Sequence, residues 1–196
     1  EPVNVLTNLS FLVAAISLGV TAYKRHQLDA QIVLLMALVA IIGISSSLFH
    51  TLASVWAGAL DEFSILIFQL VFLWLYGRKV MHFSTIKVSV LLALFLFLIF
   101  FSRQYPQFLN GSLVYLPAVL ILTVLGIYHR RHAAVERHLL IWASAVFVVS
   151  VCFRSIDLLV CGWLPVGTHF LWHLCNGLVL YLVTRAYLLN RIAMRH

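Results

Sequence analysis

The chain has 196 residues, of which 63% are hydrophobic and only 10% are charged. Soluble domains carry about 25% charged residues, so the composition excludes a soluble domain and predicts one all-helical, polytopic membrane domain over residues 1–196. The net charge is +7, but the basic residues lie in short connections rather than along one face, which excludes nucleic-acid binding. Because the chain begins at Glu1 without a methionine, we expect some N-terminal sequence to be missing.

Seven apolar runs are long enough to cross a bilayer as helices. They are about Val5–Tyr23, Gln31–Ser54, Leu60–Tyr76, Ile86–Phe101, Ser112–Tyr128, His138–Cys161 and Thr168–Leu189. The fourth run is apolar on all sides, so we expect it to face lipid. These runs predict a bundle of seven transmembrane helices.

The basic residues predict the orientation of this bundle. Eleven of the thirteen lie on alternate connections, which share one side of the membrane: Lys24, Arg25, Arg78, Lys79, Lys87, Arg130, Arg131, Arg137, Arg185, Arg191 and Arg195. The connections on the other side hold only Arg103. Cytoplasmic loops are enriched in lysine and arginine, so we predict a cytoplasmic C-terminus and an N-terminus that lies outside or in the lumen.

Four ionisable residues converge on the non-cytoplasmic end of the predicted bundle. His50 lies near the end of the second span, Asp61 lies in the first turn of the third, and His169 and His173 lie in the first two turns of the seventh. Ionisable residues in membrane segments are costly and indicate functional sites. Because residues four apart share a helix face, His169 and His173 can bind one ion together with His50.

This set of side chains predicts a zinc hydrolase. Three imidazoles suit Zn²⁺ and leave a fourth tetrahedral position for water. Zinc lowers the pKa of its water to about 7 and polarises a carbonyl oxygen. Asp61 is the best candidate to hold or deprotonate this water. Ser46 lies one turn before His50 on the same face, where its hydroxyl can bond the water or the developing oxyanion.

Structural roles can also account for these residues. Asp61 can cap the third span, since aspartate is favoured at a helix N-terminus, and Ser46 can serve helix packing. A single histidine near a helix end is usually interfacial or hydrogen-bonded. We expect the remaining histidines, which lie beside basic residues on the cytoplasmic side, to face lipid headgroups: His26, His82, His129, His132, His138 and His196.

A second polar spot lies inside the sixth span. Arg154 and Asp157 are spaced i, i+3, which allows an ion pair, and pairing is how charge is tolerated in a membrane. We predict a paired polar anchor that faces the bundle. Contact with a substrate headgroup, or support of the metal ligands, is the alternative.

Two other cofactors fit the sequence less well than zinc. A haem held by His50 and His173 leaves the third histidine and Asp61 unexplained. Retinal needs a Schiff-base lysine, and the seventh span contains none. The zinc interpretation uses all four residues.

The pattern Ser46-x-x-x-His50, then Asp61, then His169-x-x-x-His173 in the last span resembles the alkaline ceramidases. It is shared with their superfamily, which includes progestin/adipoQ-type receptors and GPI-lipid remodelling proteins. The segments SLFHTLA, HFLWH and EPVNVLTNLS, and the stretch Asp157–Cys161, resemble the ceramidase branch.

The resemblance implies a zinc-dependent hydrolase that cleaves ceramide or a related N-acyl lipid. By matched position, His50, His169 and His173 would bind zinc, Asp61 would activate the water and Ser46 would stabilise the transition state. The family also has a Ca²⁺ site, and Glu1 matches the last of its ligands. The substrate would enter from the bilayer, and no obligate protein partner is evident. A receptor-like or lipid-binding protein with a mainly structural zinc is the alternative.

Overall fold

The computed structural model describes residues 1–192, and every regular element in that range is helical. The helices are α1 Pro2–Thr7, α2 Leu9–Lys24, α3 Ala30–Leu52, α4 Val55–Lys79, α5 Thr85–Ser102, α6 Leu116–His132, α7 Leu139–Val160 and α8 His169–Asn190. A 3-10 segment, Phe108–Tyr115, leads into α6. Arg195 and His196, which the sequence assigns to the cytoplasmic side, lie outside the described residues.

Six helical segments in the described range are long and apolar enough to cross a membrane. They are Pro2–Lys24, Ala30–Leu52, Val55–Lys79, Thr85–Ser102, Phe108–His132 and Leu139–Val160. The chain is therefore a multi-pass, all-helical membrane protein. Helix α8 is as long as α7 but carries His169, His173, Asn176 and Arg185, which make it less apolar than the other six. The seven-span count and the orientation remain predictions.

Helix α8 packs against four other helices, which are α1, α2, α3 and α7. Its second half contributes Val183, Ala186, Tyr187 and Leu188 to the apolar core. In the first half, His173 lies on a buried face, whereas Leu174 and Leu178 are exposed. A polar group on these first turns can reach neighbouring side chains without crossing lipid.

A short turn brings the histidine of α3 and the aspartate of α4 to the same end of the bundle. Helix α3 ends at Leu52, its C-cap Ala53 has a left-handed backbone (φ 48°), and Ser54 precedes α4. Two residues thus separate antiparallel neighbours. Because α4 begins at Val55 rather than Leu60, Asp61 lies in its second turn. The alternative role of Asp61 as a helix cap is therefore wrong, since the cap position belongs to Ser54.

The prediction that His129 faces lipid headgroups is wrong. Its ring is fully buried, and the Tyr76 hydroxyl lies 2.7 Å from its Nδ1 atom. This pair joins α4 to α6 at the end of the bundle opposite His50. The Tyr76 hydroxyl gives the buried ring a hydrogen-bond partner, which a buried polar group needs. Four other histidines at that end are exposed: His26, His82, His132 and His138.

Candidate metal centre

Three histidines from two helices form a compact cluster. Each offers a ring nitrogen, and the three nitrogens of His50, His169 and His173 lie within 4.8 Å of one another. The ring centroids are 4.8–5.1 Å apart. His173 is 2% and His50 is 8% exposed, whereas His169 is partly exposed. The structure thus brings together the three residues that the sequence proposes as metal ligands.

Helix α1 and its N-cap residue Glu1 each contact one of these rings. The Nδ1 atom of His50 lies 2.6 Å from Glu1 Oε2, and the Nδ1 atom of His173 lies 3.1 Å from Thr7 Oγ1. The Thr7 hydroxyl donates to the α1 backbone, where the Val3 carbonyl oxygen is 3.0 Å away. In this arrangement the Thr7 oxygen can accept from His173 Nδ1, as the Glu1 carboxylate can accept from His50 Nδ1. In neutral rings protonated in this way, each Nε2 has a free lone pair.

The two free nitrogens face each other, and this arrangement fits a bound cation. His50 Nε2 and His173 Nε2 are 3.2 Å apart. With both rings protonated on Nδ1, neither Nε2 can donate a hydrogen bond to the other. A cation can then accept both lone pairs, and neutral imidazole is a preferred ligand of Zn²⁺. The hydrogen bonds to Nδ1 are the support that histidine ligands usually receive.

Glu1 is held in place as an anion. Asn4 Nδ2 donates to Glu1 Oε2 over 2.8 Å. This hydrogen bond, followed by the contact with His50, lowers the pKa of the Glu1 carboxyl below its ordinary value against the opposing effect of partial burial. A carboxylate beside Nδ1 makes His50 a stronger electron donor at Nε2. The Ca²⁺ role that the resemblance implies for Glu1 remains a prediction.

A carboxylate of α7 fixes the start of α8 and with it His169. Asp157 Oδ1 accepts hydrogen bonds from the backbone N–H groups of Thr168, at 2.6 Å, and His169, at 2.9 Å. The preceding residue, Gly167, has a φ of 63°, and a Cβ there would lie 2.2 Å from Asp157 Oδ1. Only glycine fits this close approach. The cap therefore depends on Gly167 and sets where the first turn of α8 begins.

The helices also meet closely beside His173. A Cβ at Gly177 would lie 2.6 Å from Ser10 Oγ, so this glycine lets α2 approach α8. Ser10 in turn donates to the carbonyl oxygen of His173 over 3.1 Å. The backbone that carries His173 is thus tied to α2, while its ring is tied to α1.

Asp61 and Ser46 line a cavity of about 100 Å³ together with His173. Its other walls are largely apolar and include Phe68 and Phe147. Asp61 Oδ1 is buried and has no hydrogen-bond partner among the described residues. A buried carboxylate oxygen without a partner is costly, and such atoms are retained where a ligand or water uses them. The arrangement offers a proton acceptor and a hydroxyl donor to a group bound beside His173.

The predicted ion pair between Arg154 and Asp157 is wrong. Asp157 caps α8, whereas Arg154 Nη1 donates to the Asn110 carbonyl oxygen over 2.9 Å. The i, i+3 spacing allows pairing, but the backbone N–H groups at the start of α8 also need an acceptor. Asp157 instead holds the backbone of His169, one of the three proposed metal ligands.

Sequence reasoning missed three supporting residues, which are Thr7, Ser10 and Asp157 in its role as a cap. The positions of Thr7 and Ser10 weakly indicate such a role. Both are polar residues in an apolar run, on the side of the helix that also bears Asn4. Asp157 is eleven residues before Thr168, and no local capping pattern covers that separation.

We expect Thr7→Val to weaken zinc binding at the proposed site by about 10–100-fold, because His173 loses its hydrogen bond with the Thr7 hydroxyl. Thr7→Ser keeps the hydroxyl and is expected to match the wild type. Competition between the purified protein and a fluorescent zinc chelator measures this affinity without any substrate. Equal zinc affinities for the valine and serine variants would contradict the role of Thr7.

Comparison with known proteins identifies the family. No curated protein matches the chain, whereas the model of one family, described as ceramidase, matches residues 1–195. The match covers essentially the whole chain and includes every residue of the histidine cluster and its supporting helices. The chain belongs to the ceramidase family.

Proposed function

We propose that this protein is a zinc-dependent intramembrane hydrolase that cleaves ceramide or a related N-acyl lipid into a fatty acid and a long-chain base. Family membership makes it a ceramidase-like hydrolase of amide bonds with a lipid substrate in a membrane. The observation that carries the proposal is the cluster of three histidine nitrogens, within 4.8 Å of one another, next to a cavity lined by Asp61 and His173.

The described residues supply the other parts of an amide hydrolysis. When bound, a zinc ion held by the three histidines supplies a Lewis acid for the amide carbonyl and an acidified water as nucleophile. Asp61 takes a proton from the attacking water at its carboxylate and returns it to the leaving nitrogen, so the C–N bond breaks to a neutral amine. The Ser46 hydroxyl donates to the oxygen on which negative charge develops.

Topology supports a route for the substrate from the bilayer. The apolar cavity lies between helices of a membrane protein, and its aromatic walls suit an alkyl chain. We propose seven transmembrane helices with the active site toward the non-cytoplasmic face and the C-terminus in the cytoplasm. Substrate then enters sideways between helices from that leaflet.

The proposal is tested by hydrolysis of ceramide by the purified protein in lipid nanodiscs. We expect equal amounts of fatty acid and sphingosine, loss of turnover when zinc is stripped with a chelator, and recovery when Zn²⁺ is restored. Ca²⁺ added to the stripped protein is expected to leave it inactive. Reversible ceramide binding without turnover by the zinc-loaded protein would instead favour a receptor-like role with a structural zinc.

A further inference from the structure

A second cavity lies beside the catalytic one at the same end of the bundle. This vestibule, of about 390 Å³, lies between α4, α5 and the 3-10 segment, and Arg154 of α7 forms part of its wall. It shares the lining residues Ile65, Gln69 and Tyr115 with the catalytic cavity, so the two cavities are adjacent. A molecule that leaves the site past these side chains meets the Arg154 guanidinium.

The Arg154 guanidinium contacts two aromatic rings and two hydrogen-bond acceptors. It lies 5.3 Å above the centre of the Tyr115 ring and 5.9 Å from the centre of a Trp172 ring. Its Nη1 donates to the Asn110 carbonyl oxygen and, over 3.2 Å, to Ser112 Oγ. Stacking on aromatic rings leaves the edge of a guanidinium free to donate further hydrogen bonds in its own plane.

No carboxylate within residues 1–192 forms an ion pair with this guanidinium, although Asp61 of the catalytic cavity is close enough to interact with its charge. The acidic side chain of the vestibule, Glu62, forms an ion pair with Arg103. Asp157, the nearest acid in sequence, accepts hydrogen bonds from the backbone at the start of α8. The described wall of the vestibule thus carries two guanidinium groups and one carboxylate, with a net charge of +1. A guanidinium inside a membrane protein normally has an oxyanion partner.

We infer that Arg154 binds the carboxylate of the fatty acid that the reaction releases, and that the vestibule is the site where this product separates from the amine. The inference rests on the proposed function. Water adds its oxygen to the carbonyl carbon and the C–N bond breaks. The acid loses its proton to become a carboxylate, and the amine gains one to become an ammonium. Arg154 attracts the first product and repels the second.

Direct binding tests this inference without turnover. The measurement is the displacement of a fluorescent fatty acid from the zinc-loaded full chain. The competitors are oleate, oleyl alcohol, oleylamine and oleoyl lysophosphatidate. We expect oleate to bind at least about tenfold more tightly than oleyl alcohol or oleylamine, as a charge-assisted bidentate contact predicts. Equal affinities for oleate and the alcohol in the wild type would overturn the inference, as would Arg154-dependent binding of lysophosphatidate alone.

Variants locate the carboxylate contact. Arg154→Gln is expected to abolish the preference for oleate over oleyl alcohol, and Arg154→Lys to keep part of it. Arg130→Gln removes an exposed positive charge at the opposite end and is expected to change nothing. An unchanged preference in a folded Arg154→Gln variant would refute the assignment. Oleate binding that depends on Arg154 supports the assignment of Arg154 as the carboxylate site. If the protein binds oleate in this way but does not hydrolyse ceramide, the proposed function is contradicted and the carboxylate site is not.

Discussion

Replacing His173 by alanine is expected to remove zinc and to lower ceramide hydrolysis by more than about 100-fold. The loss should exceed the effect of about 10–100-fold that is typical of a residue that only orients a metal ligand. His173 offers one of three nitrogens within 4.8 Å, and its Nε2 faces that of His50. Two remaining imidazoles make a much weaker site. The readouts are zinc per chain by elemental analysis and fatty acid released from ceramide.

A matched substitution separates loss of the site from loss of the fold. His132→Ala removes an exposed histidine at the other end of the bundle and should retain zinc and activity. The thermal unfolding of zinc-stripped wild type and zinc-stripped His173→Ala gives the cost of the lost side chain itself. If His173→Ala hydrolyses ceramide at the wild-type rate, the histidine cluster is not the catalytic centre.

Asp61→Asn is expected to lower kcat by about 10²–10⁴, the range for removal of a general acid–base group. This loss corresponds to about 3–5 kcal/mol in the activation free energy. Zinc content is expected to stay the same, because Asp61 is not among the three clustered ligands. Asparagine is also neutral, so it relieves the cost of a buried carboxylate oxygen that lacks a partner. The unfolding temperature of the variant should therefore equal or exceed that of the wild type, while its activity is lower.

This combination of lower activity and undiminished stability is the specific result to look for. Glu136→Gln converts an exposed acid at the opposite end, which pairs with Arg185, and is expected to leave kcat near the wild-type value. An Asp61→Asn variant with normal kcat would show that the proton is carried by another group.

The sequence predicted the convergence of the histidines because that depends on two regular features. The i, i+4 spacing places His169 and His173 on one face of α8, and alternation of spans places His50 at the same end. The sequence also predicts that the spans are helical, since a long apolar run in a membrane has few other possible folds. It predicts the ends of the helices less accurately, and α4 starts five residues before the predicted Leu60.

The sequence does not predict which side chains on different helices form hydrogen bonds with each other. Tyr76 and His129 are 53 residues apart, so the burial of His129 follows from how α4 and α6 pack. Its basic neighbours suggested an exposed position instead. Arg154 and Asp157 had a plausible local pairing, but the start of α8 and the Asn110 carbonyl bind them separately. Local spacing shows which contacts are possible, and only the packed helices decide between them.

The cap at the start of α8 has an electrostatic consequence for the metal. A helix N-terminus carries a partial positive charge of about half an elementary charge, which is the wrong sign for a neighbouring cation. His169 is the first residue of α8, so a metal on this histidine lies near that charge. The Asp157 carboxylate accepts two of the N–H groups that produce it and supplies a full negative charge of its own. The residue that fixes where α8 begins thereby turns a helix end suited to anions into one that tolerates a divalent cation.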